Sequence, residues 1–501
     1  MGIKGAAAKA LAAVFARDIK RWSSHPLQTQ EAQFRNLLSQ SRETAFAREH
    51  GLARVKSYED FKKQVPIRDY EGLRPFIDRI IEGERDVLWP GRPIYFAKTS
   101  GTTSGVKYIP ITKDSISNHI DSARNALLMY ALKTGNSSFF DGKMIFLSGS
   151  PVLGETGGIK TGRLSGIVNH HVPQVLKGNQ MPGYETNCIE DWEQKLDRIV
   201  EETMKEDMRL ISGIPPWMQM YFDRLQERTG KKVGELFPNL QLLVHGGVNF
   251  QPYRERMMES MGRETDTIET FPASEGFIAF QDSLDEKGLL LILNKGIFFE
   301  FIPAEESGKE NPERVTIRDV ELNKNYALIL NTNAGLWGYD IGDTVKFTSK
   351  DPYRLVVSGR TKHFISAFGE HVIAEEVESV LAEAAREMGA LVNEFTVAPQ
   401  ITPPDESSPY HEWFIEFEKE PENLLDFRLL LDNKLRQKNI YYDDLVRGHI
   451  LQPLMIRRVQ RQGFSQYMAS LGRLGGQNKP PRLGNDRSFA KGLENWLENE
   501  K

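Results

Sequence analysis

The stretch LQLLVHGG, residues 240–247, sets the fold class: an apolar run without strict alternation, closed by two glycines. A strand with one wet face alternates apolar and polar residues, whereas a strand covered on both faces reads as a near-continuous apolar run. Short apolar runs broken by turns recur in KMIFLSGS (143–150), DMRLISGIPP (207–216), TIETFPASEG (267–276) and LLLILN (289–294), and MIFL likewise lacks strict alternation. Helical patterns at 115–133 and 190–206 would cover these strands, which predicts an α/β domain. FFEFIP (298–303), RVTIRDV (314–320) and YALILNT (326–332) are shorter segments with turn residues between them, and predict antiparallel strands.

Outward from this block, residues 1–85 carry apolar positions at helical spacing, such as Leu11, Val14 and Phe15, then Phe34, Leu37 and Leu38. They predict a helical cap or scaffold. GAAAKALAAVFARDIKRW near the start is interrupted by Lys9, Arg17 and Asp18, so it reads as an amphipathic surface helix and not as a secretory leader. Beyond SGRTKH (358–363) a helix is expected from about Ala374, then strands around FTVAP (395–399) and HEWFIEFE (411–418) with a Pro/Ser-rich loop between them. The expected division is 1–359 for a large domain and 360–501 for a small mobile α+β domain.

With 501 residues, the chain exceeds what one core usually holds, which fits two domains. Basic and acidic residues nearly balance, 64 against 69, leaving no broad cationic face for nucleic acid. No run of about 18 apolar residues predicts a membrane span. One cysteine, Cys188, excludes an intrachain disulfide, reads as a buried small apolar residue and suits a reducing cytoplasm. Asn169, His170 and His171 lack the HExxH or cysteine partners of a zinc site, and no G-x-S-x-G elbow marks a hydrolase. The sequence sets no oligomeric state.

FAKTSGTTSGVKYIPIT (96–112) is a hydroxyl-rich, glycine-hinged loop: Thr99, Ser100, Gly101, Thr102, Thr103, Ser104, Gly105, with Lys107 close behind. Backbone N–H groups, hydroxyls and a lysine are the groups that hold phosphate oxygens, although a plain surface turn has the same composition. The spacing departs from the P-loop: three residues separate Gly101 from Gly105, and Tyr108 follows the lysine. Trp217, Met218 and Tyr221 in GIPPWMQMYF read either as an acyl-pocket wall or as helix-packing core.

That loop resembles the phosphate loop of adenylate-forming enzymes, and further matches follow in order. FPASEG (271–276) resembles the second motif, GYDIGD (338–343) the third, and GRTKHFISAFGEHVIAEEVE the hinge segment. Together with Tyr-x-x-Gly-Asp at 339–343 and the late GGQNKPPR (475–482), they resemble the acyl acid amido synthetases of the Gretchen Hagen family. Asp340 stands where the plant pattern has arginine, and the chain is shorter than the plant enzymes, so a hormone substrate is not implied.

The resemblance implies a large N-terminal adenylate-forming domain of mixed sheets and helices, and an enzyme using ATP and Mg2+. It would adenylate a small carboxylic acid and pass the acyl group to an amine, most simply an amino acid. Thr99 to Thr103 and Lys107 would hold phosphates, and Glu275 magnesium, with Ser274 beside the nucleotide. Gly246, Gly247, Val248 and Phe271 would frame the adenine. Tyr339 and Asp343 would face the ribose, with Arg360 and Lys362 at the joint, and Lys479 would reach the α-phosphate. Plain readings stand beside these: a helix-capping carboxylate for Glu275, a turn for Asp343, a strand-end turn for the glycines and a surface charge pair for Arg360 and Lys362. An acyl-CoA ligase shares the adenylation half, and a non-catalytic nucleotide sensor could share the fold.

Overall fold

Leu242–Gly246 is a strand with four of its five residues buried, and it runs near the middle of an 11-stranded sheet. Met208–Ser212 on one side and Asp266–Ala273 on the other are parallel to it. Lys143–Phe146 and then Gln180–Met181 extend the parallel half. Asp266–Ala273 is the point of change: it pairs antiparallel with Gly276–Phe280. From there Leu289–Leu291, Tyr353–Arg360, Tyr339–Lys350, Asn325–Thr332 and Ile297–Pro303 continue the sheet, every pair antiparallel. The continuous apolar runs thus correspond to strands whose two faces are both covered.

The computed structural model describes every residue except 1, 103–104, 249, 307–308, 310, 361–363, 366, 371, 406, 472–479 and 499–501. By packing, the chain divides into two units. Met1–Thr99, Tyr108–Ile189 and Lys195–Thr361 make up one; Ser100–Lys107, Glu190–Gln194 and Lys362–Lys501 make up the other.

In the first unit, the early residues form the helices Ile3–Ser23, Pro26–Ser41, Ala45–Glu49, Tyr58–Gln64 and Tyr70–Ile81. Side chains at the helix starts satisfy free backbone donors: Ser57 accepts from Asp60 N, and Asp69 from Gly72 N. Polar groups tie these helices to the sheet. Gln30, buried in Pro26–Ser41, donates to the carbonyls of Leu293 and Ile297 and accepts from Phe299 N, all at 2.9 Å. Arg314 and Glu300 form a buried ion pair at 2.8 Å, completed by Tyr58 Oη and Asn331 Nδ2 on the same carboxylate. Buried charges persist only with such full pairing.

One expected strand is absent. RVTIRDV forms a single bridge, Phe301 to Val315, because Arg314 turns inward to Glu300 while Ile317 and Val320 fill the core without a ladder partner. Cys188 also differs from the sequence reading: it is only half-buried, following the short helix Tyr184–Asn187.

In the second unit, the helix Ala374–Glu387 begins where the sequence predicts. Leu391–Gln400 and Tyr410–Lys419 pair antiparallel, and Met455–Val459 joins in parallel. Near the end of the chain, Val397 N donates to Arg482 O and Gly484 N to Val397 O, so residues 482–484 lie along the edge of this sheet.

Candidate active site

The phosphate-loop segment is a β-hairpin. Tyr95–Thr102 and Gly105–Ile111 are neighbouring strands, so Thr99 to Thr102 stand at the end of the first. Thr103, Lys362 and Lys479 lie outside the described residues. The base of the hairpin is fixed from the helical segment: Tyr108 N–H donates to the hydroxyl of Tyr70 at 2.9 Å. Tyr70 is buried, and burial pushes its phenol up to about 12, so it stays a neutral hydroxyl. Lys107 falls in the second unit, within electrostatic reach of the buried Glu376.

FPASEG is also a tight hairpin. Asp266–Ala273 and Gly276–Phe280 pair from Ala273 opposite Gly276, leaving Ser274 and Glu275 as the two-residue turn. No helix follows Glu275, so the helix-capping reading falls away. Glu275 sits at the tip of this hairpin. Its Oε1 accepts from Tyr339 Oη at 3.3 Å, which joins the second motif to the tyrosine of the third. Tyr339 is fully buried, and burial together with Glu275 raises its phenol well above the ordinary value.

Gly338–Asp340 is reached from the helical segment as well. Arg68 N donates to Gly338 O and Asp340 N to Arg68 O, both at 3.0 Å, forming a parallel bridge to Tyr339. Asp340, at the position that departs from the plant pattern, accepts from Gly342 N at 2.7 Å. That closes a local turn, with Gly342 at φ +83. Asp343 is buried on the strand Tyr339–Lys350, opposite Arg360 in the register of Tyr353–Arg360.

At the end of the central strand, a methyl group at Gly246 would stand 2.3 Å from Thr270 O, and Gly247 has φ +76. The first glycine is therefore demanded by the neighbouring strand and the second by the turn. His245 stacks on Phe250 with ring centroids 4.0 Å apart, and burial lowers it to about 4, leaving a neutral ring. Its register partner Glu269 has its carboxyl raised by burial. Phe271 is buried and Ser274 half-buried.

Trp217, Met218 and Tyr221 lie on the helix Pro215–Thr229. Tyr221 is fully buried and its hydroxyl donates to Thr203 at 2.7 Å, a contact of the helix-packing kind; Met218 is fully buried as well and Trp217 is buried. His170 and His171 have separate partners, the Pro151 carbonyl and the Tyr95 hydroxyl.

Sequence reasoning missed Tyr70, Arg68 and Asn118. Asn118 sits in the first turn of the helix Ile116–Thr134, where its carboxamide binds the main chain of Phe277. No periodicity announces them, since each acts on a segment far away in sequence. The available signal was PIRDYEG (66–72), a proline and an N-capping aspartate flanking a tyrosine.

The GH3 family N-terminal domain matches residues 15–181 and 159–265, the central domain 290–360, and the C-terminal domain 375–488. An indole-3-acetic acid-amido synthetase of Arabidopsis thaliana, GH3.3, is 24% identical over 90% of this chain and 88% of its own length. A jasmonoyl-L-amino acid synthetase of Nicotiana attenuata, JAR4, is 22% identical over 63% of this chain and 66% of its own. Among solved structures, the GH3.15 acyl acid amido synthetase superposes with a TM-score of 0.62 at 16% identity, covering 98% of this chain and 97% of that one. A 2-hydroxyisobutyryl-CoA ligase reaches 0.61 at 14% identity, covering 94% and 93%. Both share the fold. With domain matches running from residue 15 to 488 in the family's own order, the chain belongs to the GH3 family.

Proposed function

We propose that this chain is an ATP-dependent ligase that activates a small carboxylic acid as its acyl-adenylate and transfers the acyl group to an amine, most simply an amino acid. The observation that carries this reading is the hydrogen bond from Tyr339 to Glu275, which brings the second and third motifs to one place. A carboxylate is a poor electrophile, and its oxygen a poor leaving group. In the first step a carboxylate oxygen attacks the α-phosphorus of ATP and the bond to pyrophosphate breaks. In the second, the amine nitrogen attacks the acyl carbon, the bond to the AMP oxygen breaks, and the nitrogen loses a proton to solvent.

The site residues have chemistry suited to these steps. Thr99 to Thr103 and Lys107 bind the phosphates, and Lys479 brings a positive charge to the α-phosphate. Glu275 offers hard oxygen ligands at a hairpin tip, which fits Mg2+, a cation that favours carboxylate and phosphate oxygens. When bound, Mg2+ neutralises charge on the phosphates. Asp343 accepts from both ribose hydroxyls, and Arg360 and Lys362, at the joint between the domains, touch ribose or phosphate. Gly246 to Val248 and Phe271 border the adenine, and Trp217 and Met218 begin the acyl pocket. The functional division is 1–359 and 360–501, the smaller domain delivering Lys479. A cytoplasmic setting suits the one cysteine, which needs no oxidant; no described helix is long and apolar enough to cross a membrane.

The test is AMP release from ATP with a panel of carboxylates, supplied with amino acids or with coenzyme A. Amino-acid-dependent release supports the amide reading, and dependence on coenzyme A alone replaces it with an acyl-CoA ligase. Absence of ATP/pyrophosphate exchange with every acid would make the chain a nucleotide sensor.

A further inference from the structure

Phe277 lies two residues beyond Glu275 and stands opposite Pro272 in the hairpin register. Proline has no N–H to give, and both polar groups of Phe277 turn to one side chain instead. Phe277 N–H donates to Asn118 Oδ1 at 2.6 Å, and Asn118 Nδ2 donates to Phe277 O at 3.2 Å. Asn118 is 3% exposed, so no water competes for these bonds. Beside the turn, a methyl group on Gly276 would stand 2.7 Å from Ile297 Cδ1, so the hairpin packs closely against that side chain.

The helix that carries Asn118 starts just after the second strand of the phosphate hairpin, Gly105–Ile111. The junction is rigid: Thr112 N–H donates to Ser115 Oγ at 2.9 Å, and Ser115 N–H to Thr112 Oγ1 at 3.0 Å. Thr112 Oγ1 also donates to Asn333 O at 2.8 Å. One helical turn therefore links the base of the phosphate hairpin to the turn end of the second hairpin.

We infer that Asn118 is a positioning residue that holds the Glu275 turn in register with the base of the phosphate hairpin, and so sets how well Glu275 meets a divalent cation on ATP. This rests on the function proposed above, in which Glu275 holds the metal. A buried carboxamide facing a lone peptide unit is rigid, and outer groups that orient a metal ligand typically change metal affinity by about 10–100-fold when removed.

Mn2+ serves as the probe, its binding to the protein with ATP followed by electron paramagnetic resonance without any acid substrate. Asn118→Ala is expected to weaken Mn2+ binding about tenfold, while ATP affinity in EDTA remains near the wild type and the thermal midpoint falls by a few degrees, the loss expected when a buried peptide unit is left unpaired. Asn118→Asp has the same size and keeps the acceptor for Phe277 N–H; it covers the case in which the alanine variant does not fold, with a smaller loss expected. In a Glu275→Gln background, Asn118→Ala should add nothing, because the two residues act as one unit. An unchanged Mn2+ affinity in folded Asn118 variants overturns the inference, as does an equal loss in the Glu275→Gln background. A wild type that binds Mn2+ no better than Glu275→Gln overturns the metal role of Glu275 and this inference with it. Pyrophosphate exchange failing with every acid, while the Mn2+ pattern holds, removes the proposed reaction alone.

Discussion

Single residues carry the sharpest expectations. Asp343→Ala removes a buried carboxylate proposed to accept two ribose hydrogen bonds. Bonds to a charged group contribute about 1.5–3 kcal/mol each, so ATP affinity should fall roughly tenfold or more in a protein that still folds, measured by nucleotide titration. Glu376 offers a pH test of another kind. It is fully buried, accepts from Ile373 N and Asn439 Nδ2, and burial raises its carboxyl from 4.5 to about 7. The folded protein therefore retains a proton that the unfolded chain has released between these values. Stability is expected to decline as pH rises from about 4.5 to 7, by an order of 3 kcal/mol. Glu376→Gln should flatten that decline in urea titrations at pH 5 and pH 8. The position of Asp343 in a Gly-Asp pair was legible because short motifs are local. The pairing of Glu376 with Asn439 was not, since it joins a helix start to a residue more than sixty positions later.

At the scale of elements, the two motif-bearing loops are both hairpins, and each depends on a group outside itself. Tyr70→Phe leaves the N–H of Tyr108 without its acceptor. An unsatisfied buried donor costs about 1–3 kcal/mol, so the variant should lose that much in urea denaturation while keeping its helices by circular dichroism. Gly246→Ala drives a methyl group into Thr270 O and should cost about 1–3 kcal/mol or more, even without nucleotide. The buried strands were readable because their apolar runs lack alternation. RVTIRDV misled because Arg314 has a buried anion to meet, which a β-rich composition cannot reveal. The first 85 residues read as a cap, and their helices were legible from periodicity. Their contacts through Arg68 and Tyr70 with two distant motifs were set by tertiary packing alone.

For the whole molecule, the division into a large and a small domain leads to one kinetic expectation. Lys479→Ala should depress ATP/pyrophosphate exchange strongly while leaving amine transfer from a supplied acyl-adenylate largely intact; equal loss of both halves would remove its special role. The topology of the large sheet has a different consequence. Leu289–Leu291 does not pair with the strand that follows it in the chain but with Tyr353–Arg360, after three intervening strands have formed their own meander. During synthesis on the ribosome, that edge stays open until residue 360 has emerged, and an open apolar edge recruits other chains. A nascent chain halted near residue 370, with Tyr353–Arg360 still inside the ribosome, is expected to be markedly stickier than one halted near 420, from which that strand has emerged, as read by pelleting of stalled complexes. Translation speed across this short interval then becomes a determinant of how much enzyme a cell obtains.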